Sequence, residues 1–325
     1  MNYQVIIIGA GTAGLSAAQY CWHHGLTTLL IEQMAAGGQA LQIPELTNLP
    51  GCTESISGMA FAELLEQKAK DLGTEIVFQR VESIHQYSMN TTAIDSLGFQ
   101  VKTEESTFTC SQVILATGSK AKTLDIPGTS ELQGRGISYC APCDGPLFRN
   151  KPVGVVGGGD GAYEEAIYLS AIASEVHVFI RSSSKAQHYL EAEARSRSNI
   201  FFHIQTEITQ IESSLSDYGF PVVSGVQTNR GRWDIQGLFI MIGSTPEYPE
   251  IQLVNGFSLE RSAQWPDYIQ TNHWCETSVP GLFCIGAARK QEFGLIQIGL
   301  ADGAMVAKKV RLNLDRTMPP HMEAE

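Results

Sequence analysis

The chain has 325 residues, enough for about two domains that each bury a core. Its 31 glycines against 13 prolines argue against low-complexity disorder and for backbone that turns tightly or lies close to a ligand. With 22 basic and 34 acidic side chains the formal net charge is −12, which disfavours non-specific binding to nucleic acid or to an anionic membrane.

Residues 4 to 32 read as strand, glycine turn, helix and strand. Val5-Ile6-Ile7-Ile8 is a short β-branched run, as in a strand buried on both faces. Gly9 to Gly14 form the turn, and the helix after it is expected to carry Leu15, Ala18 and Trp22 on one face and to end near Gly25. Thr28 to Ile31 is the second strand, closed by Glu32. A looser stretch over residues 34 to 55 contains Gly37-Gly38-Gln39 and Asn48-Leu49-Pro50-Gly51. Met59 to Leu72 reads as a helix, and strand-like segments lead to Val113-Ile114-Leu115-Ala116-Thr117-Gly118.

The same plan restarts at Val153, with a strand to Val156, a glycine turn from Gly157 to Ala162, a helix from Tyr163 to Ala171 and a strand from Val176 to Ile180. Gly281 to Gly286 is a last strand ending in glycine, followed by a helix from about Leu295 to Leu312. The pattern predicts an α/β fold of two Rossmann-like dinucleotide-binding domains, the second inserted into the first. The first domain takes residues 1–117 and 247–325, and the insert 118–246, with crossings near Gly118 and near Gly243 to Pro246.

No apolar run approaches the roughly 18 residues of a transmembrane helix. The N-terminus has no basic stretch ahead of its apolar strand, so no signal peptide is expected. Five of the seven cysteines (Cys21, Cys52, Cys110, Cys275 and Cys284) stand singly among apolar neighbours and read as core residues in a reducing, cytoplasmic setting. Cys140 and Cys143 alone lie close together.

Gly9-Ala10-Gly11-Thr12-Ala13-Gly14 is a G-x-G-x-x-G between a strand and a helix. Its glycines permit the tight turn, the approach of a pyrophosphate and close helix–strand packing, while the helix N-terminus offers free N–H groups. Glu32, at the end of the second strand, is placed to accept hydrogen bonds from an adenosine ribose. Gly157-Gly158-Gly159-Asp160-Gly161-Ala162 is the G-x-G-x-x-A variant in the same setting. Ile180 stands where the acid belongs and Arg181 follows it, which leans towards a 2′-phosphate and hence NADP.

Cys140-Ala141-Pro142-Cys143-Asp144 spaces two thiols to close a small, reducible disulfide, with an acid beside it to deliver or accept a proton. Half a zinc site is the competing reading, but it needs a second paired motif that the sequence lacks, and the eight histidines show no metal spacing. No metal site is expected.

In combination these motifs resemble the low-molecular-weight thioredoxin reductases, from Val5 to about Ala307. The match also takes in Gly37-Gly38-Gln39, Asn48-Leu49-Pro50-Gly51, Leu115-Ala116-Thr117-Gly118, Gly136-Ile137-Ser138-Tyr139 before the cysteines, Thr277-Ser278-Val279-Pro280-Gly281 and Ala301-Asp302-Gly303-Ala304. The resemblance implies FAD in the outer domain, at Gly9, Gly11, Thr12, Ala13, Gly14, Glu32, Gln33, Gly38, Gln39, Asn48, Ala116, Thr117, Gly118 and Gly286. It implies a pyridine nucleotide in the inserted domain, at Gly157, Gly159, Asp160, Gly161 and Arg181. It further implies a homodimer, a domain rotation that alternately presents nucleotide and disulfide to the flavin, and a thioredoxin-like protein or small disulfide as partner. Cys143 is then the thiol nearer the flavin, Cys140 the one that attacks the partner, and Asp144 the acid and base.

The chain departs from the family at three places. The family's His-Arg-Arg and a further downstream Arg read Ile180-Arg181-Ser182 and Ala186. A charged hydrogen bond to phosphate is worth about 1.5–3 kcal/mol. Two lost arginines thus cost about 3–6 kcal/mol, on the order of 10²–10⁴ in affinity, unless Lys185 or the serines compensate. Gly286-Ala287 replaces the family's Gly-Asp, which forfeits one bond to the flavin's ribityl chain. Gly294-Leu295 replaces Arg-Gln, leaving Arg289, Lys290 or Gln297 to contact the flavin's edge. The expected function is an FAD-dependent disulfide oxidoreductase passing electrons through FAD to Cys140–Cys143 and on to a partner disulfide. The donor stays open between NADPH, NADH and ferredoxin, the last docking on Lys308-Lys309-Arg311 and Arg289-Lys290; a second dinucleotide such as a second FAD is the alternative occupant of the inserted domain. A dithiol oxidase using oxygen and a non-catalytic flavin sensor are the alternative functions.

Overall fold

The computed structural model describes residues 2–43, 46, 49–50, 56–88, 97–216, 218–254, 256–289 and 295–317, and every element below lies within them. Asn48, Gly51, Cys52, Lys290 and Gly294, named above, lie outside the described residues.

The chain opens with β1 (Asn2–Ile8), α1 (Thr12–His23), β2 (Thr28–Glu32), α2 (Gly58–Asp71), β3 (Glu75–Phe78), β4 (Val81–Ser88), β5 (Leu97–Thr103) and β6 (Thr107–Leu115). β7 (Ser119–Ala121) leads out to α3 (Thr129–Leu132), β8 (Ile137–Ser138), α4 (Ala141–Asp144), β9 (Pro152–Val156), α5 (Asp160–Ser170) and β10 (Glu175–Ile180). Then come α6 (His188–Ser196), β11 (Ile200–Ile204), β12 (Ile208–Leu215), β13 (Pro221–Thr228), β14 (Gly231–Trp233) and β15 (Gly237–Ile240). β16 (Ser244–Pro246) leads back to β17 (Glu250–Gln252), β18 (Leu282–Cys284) and α7 (Ile296–Thr317).

Two compact units result, one of Met1–Lys120 with Thr245–Glu325, the other of Ala121–Ser244. The outer unit is built on a sheet of order β17-β4-β5-β6-β1-β2-β3, with β18 beside β6. β1 runs parallel to both β2 and β6, and Val5, Ile6 and Ile7 are wholly buried, as a continuous apolar run requires of a central strand. Alternation sends Val5 and Ile7 into the core beneath α1 and α7, and Ile6 and Ile8 into the core with Phe99, Val101 and Leu282. Leu15 and Ala18 are buried on α1 as expected, but Trp22 is 47% exposed. The helix packs through its small residues, and its wide C-terminal ring lies beyond that contact.

The inserted unit has the all-parallel sheet β11-β10-β9-β15-β8. Val153, Val155, Val176 and Val178 face α5 and α6, while Val156, Phe179, Leu238 and Ile240 face the antiparallel β12-β13-β14 ribbon. α5 begins at Asp160, three residues before the expected start, because the second half of the glycine turn is already helical. Among the described residues no helix is long and apolar enough to cross a membrane.

Candidate functional site

The first glycine turn is tight because side chains have no room there. A Cβ on Gly9 (φ 103°) would lie 2.4 Å from the Ala116 carbonyl oxygen, and one on Gly14 would lie 1.9 Å from that of Gly9. Gly11 is different: in the Cβ direction it meets only the Gly38 Cα, at 4.0 Å, so its bare face stays open to a ligand. Thr12 and Ala13 begin α1, whose N-terminus has no side-chain cap and therefore keeps its N–H groups for an anion. Glu32 is fixed by accepting from the Ala10 N–H at 2.8 Å and the Met34 N–H at 3.0 Å. A cavity of about 840 Å³ lies alongside, lined by Gly9, Glu32, Gln33, Arg80, Thr117 and Tyr248. Gly37 N–H donates to the Ala10 carbonyl at 2.7 Å, holding the Gly37-Gly38-Gln39 segment against the turn. Gln39 Nε2 donates to the Ser119 carbonyl at 2.7 Å, and Thr117 Oγ1 donates to the Glu247 carbonyl, so the exit after β6 is tied down near Gly118. The bare face of Gly11, the uncapped helix and the anchored acid fit a dinucleotide such as FAD.

At Gly286 the missing aspartate has a structural counterpart. Gly286 (φ 61°) donates its N–H to Asp302 Oδ2 at 3.0 Å, and Asp302 is 1% exposed on α7. Arg289 donates to both oxygens of the same carboxylate, at 2.9 and 2.7 Å. Asp302 thus holds the guanidinium of Arg289, one of the three side chains expected at the flavin's edge. In the basic cluster on α7, Lys309 pairs with Glu276 at 3.2 Å and Arg311 with Asp315 at 2.7 Å, while Lys308 is exposed.

The second glycine turn repeats the logic. A Cβ on Gly157 would lie 2.2 Å from the Met241 carbonyl oxygen, whereas Gly159 and Gly161 face open space, and α5 has no side-chain cap. Asp160 accepts from the Gln187 N–H at 2.8 Å and from its Nε2 at 2.9 Å. Lys185 N–H donates to the Gly158 carbonyl at 2.6 Å. The segment after Arg181 is thus folded onto the glycine turn, with Arg181, Ser182, Ser183 and Lys185 exposed. A pyridine dinucleotide fits this turn.

In the same unit Cys140 and Cys143 form a disulfide, S–S 2.08 Å, across the short helix α4. Cys143 is exposed and Cys140 half-buried. Ser138 Oγ donates to Asp144 Oδ2 at 2.6 Å and accepts from the Cys140 N–H at 3.1 Å, so one buried hydroxyl fixes both the acid and the first cysteine. Ala141 N–H donates to Glu165 Oε2 on α5 at 2.8 Å. Burial raises the Glu165 carboxyl to about 7, with the charge of Glu164 adding and the Ala141 bond opposing. Burial also pushes the thiols of Cys21 and Cys275 up to about 12, and those of Cys110 and Cys284 higher still. Among the described cysteines, exchange chemistry is left to the CxxC pair. Ser138, Glu165 and Asp302 were not read as site residues from sequence. The adjacent Glu164-Glu165 in a helix otherwise rich in core residues was the available signal for one of them.

The family described as pyridine nucleotide-disulphide oxidoreductase matches residues 3–303. A thioredoxin reductase of Treponema pallidum (strain Nichols) is 36% identical over 317 residues, 97% of this chain and 98% of that protein. One of Bacillus subtilis (strain 168) is 34% identical over 312 residues, 95% of this chain and 94% of that protein. The crystal structure of Lactococcus lactis thioredoxin reductase superposes with a TM-score of 0.81 at 30% identity, covering 97% of this chain and 99% of that one.

Proposed function

The chain belongs to the pyridine nucleotide-disulphide oxidoreductase family and is a thioredoxin reductase-like flavoenzyme that passes electrons through FAD to the Cys140–Cys143 disulfide; from that premise we propose that NADPH is its donor and a thioredoxin-like protein its substrate. The observation that carries the reading is the redox turn, a closed disulfide with Asp144 held beside it by the Ser138 hydroxyl.

FAD, when bound, supplies the electron pair that opens this disulfide. Gly9, Gly11, Thr12, Ala13 and Gly14 would hold its pyrophosphate and Glu32 and Gln33 its adenosine. Gly38, Gln39, Asn48, Ala116, Thr117, Gly118 and Gly286 would surround the rest. Opening the S–S bond leaves two sulfurs, and Asp144 moves a proton to or from them. Cys140 Sγ then attacks the partner disulfide, one partner sulfur leaves, and Cys143 Sγ displaces the other to restore Cys140–Cys143. Gly157, Gly159, Asp160 and Gly161 would hold the nicotinamide dinucleotide, and the exposed Arg181 and Lys185 its 2′-phosphate. The same reading takes the working form as a homodimer, as the family resemblance implies, in the cytoplasm, as the singly placed cysteines suggest.

Anaerobic mixing with NADPH and with NADH, followed by flavin absorbance, tests the donor. One charged bond to the 2′-phosphate is worth on the order of 10- to 100-fold, so NADPH is expected to bleach the flavin at lower concentration by about that factor. No bleaching by NADPH overturns the proposal. Cys140→Ser is expected to keep flavin reduction and lose turnover of a thioredoxin disulfide.

A further inference from the structure

Glu165 sits on the helix of the second glycine turn, yet its carboxyl serves the redox turn. Oε2 accepts the N–H of Ala141, the residue after Cys140 and the first of α4. Ala141 is wholly buried, so water has no access to replace that bond. The rest of the turn is closed from within, by Cys143 N–H to Cys140 Sγ at 3.3 Å and Asp144 N–H to the Cys140 carbonyl at 3.1 Å. Glu165 is thus an outside anchor of the turn.

Reduction breaks the Cys140–Cys143 bond and adds two electrons, supplied by FAD in the established reaction. Each sulfur then carries either a proton or a negative charge. A thiolate on this turn and an ionised Glu165 against the same turn repel each other, the Glu165 carboxyl being itself partly removed from water, and like charges drive one of the two groups to bind a proton. We propose that Glu165 is a positioning residue that takes up a proton when the disulfide is reduced, so that the turn keeps its anchor at Ala141 while one sulfur stays a thiolate. The balance is one disulfide, two electrons and two protons giving one thiolate, one thiol and one protonated Glu165; a neutral carboxyl still accepts from Ala141 through its carbonyl oxygen.

The surroundings leave Glu165 poised for this. Burial and Glu164 bring its carboxyl to about 7 in the oxidised protein, where a nearby new charge changes its occupancy most. Asp144, on the packed turn, is engaged by Ser138. On the neighbouring α6, Arg195 is bonded to Glu191 and Arg197 to Glu193. β9 brings no charge, and on β10 and β11 His177 and His203 bond to each other and His177 to Glu175. Tyr163 of α5 stacks on Phe202, so by strand alternation the neighbouring His203 points to the other face of the sheet.

The test uses flavin-loaded enzyme equilibrated with dithiothreitol redox buffers across neutral pH, the disulfide being read by alkylation and mass. At about pH 8, where Glu165 is mostly ionised in the oxidised protein, the slope of potential against pH is expected to report close to two protons per electron pair in the wild type. Glu165→Gln, which keeps an oxygen for the Ala141 N–H but cannot titrate, is expected to report close to one. Parallel lines for the two proteins overturn the proposal, as does a Glu165→Ala variant that is less stable while Glu165→Gln keeps the wild-type slope. A second measurement needs no variant. Stoichiometric dithiothreitol added to the wild type in weak buffer at about pH 8 should release almost no net proton, and release of about one per disulfide overturns the proposal. The inference rests on the exchange at Cys140–Cys143 and on neither the donor nor the partner proposed above. Dithiothreitol replaces both, so a failed NADPH test leaves it standing.

Discussion

The Asp302 carboxylate holds both ends of the turn after β18, taking the Gly286 N–H and two guanidinium bonds from Arg289. Asp302 is essentially inaccessible and Arg289 largely so. Removing one partner of such a pair strands the other charge, a loss of roughly 3–5 kcal/mol. Asp302→Ala is therefore expected to lower unfolding free energy by about that amount in a urea titration, with earlier release of flavin. Ala287 shows in the sequence that an acid is missing, and Ala301-Asp302-Gly303-Ala304 shows one present, but nothing along the chain says that the second reaches back to Gly286. That link is made by packing α7 beside α1. Glu165 was hidden for the same reason: a carboxylate on a helix reads as solvated until the fold brings a backbone N–H to it.

Helices α1 and α7 meet through small residues. A Cβ on Gly303 would lie 2.6 Å from the Ala17 nitrogen and 2.7 Å from the Ala13 carbonyl oxygen, and Ser16 Oγ donates to the Leu300 carbonyl at 2.8 Å. Gly303→Ala is expected to push the helices apart at a cost of about 1–3 kcal/mol. Because α1 also carries the first glycine turn, the variant should release flavin at a lower temperature than it unfolds, which paired flavin-fluorescence and circular-dichroism melts would read. Helical period gave Leu15 and Ala18 correctly and misjudged Trp22, since a helix wedged between a sheet and two helices buries more than one stripe. The basic run on α7 was equally ambiguous. Arg311 finds Asp315 one turn on, a pairing legible at i,i+4, whereas Lys309 reaches Glu276 only through the fold.

Two groups of the inserted unit give the molecule opposed responses to pH. Burial, helped by His177, lowers His203 from 6.5 to about 4. The unfolded chain then binds a proton that the folded one refuses, so this contribution is present above pH 6.5 and is lost as pH falls through 4. Glu165, raised from 4.5 to about 7, does the reverse: its contribution is present below pH 4.5 and is lost as pH rises through 7. Relative to wild type, His203→Phe should gain melting temperature as pH falls from 6.5 to 4, and Glu165→Gln as pH rises from 4.5 to 7. Melting curves across that range check both signs, and a difference that does not vary with pH would refute them.

At this scale much was legible. Paired glycine turns, each between a strand and a helix, announce two dinucleotide-binding sheets, and a last strand with no second-domain partner announces the return to the first. The tertiary hydrogen bonds that tune those sites were not legible, because no periodicity encodes them.

β7 and β16, which carry the chain out and back, lie side by side, and just inside them Lys122 N–H donates to the Gly243 carbonyl at 2.9 Å. A segment entered and left at one point asks no more of its host than a surface loop does, whatever its length. Residues 121–244 therefore have the form of a cassette whose ends are one hydrogen bond apart. The main sheet takes every strand from outside that cassette, so excision would cross a single paired ribbon and cut no strand of the sheet. The outer unit is interrupted in the gene and continuous in space.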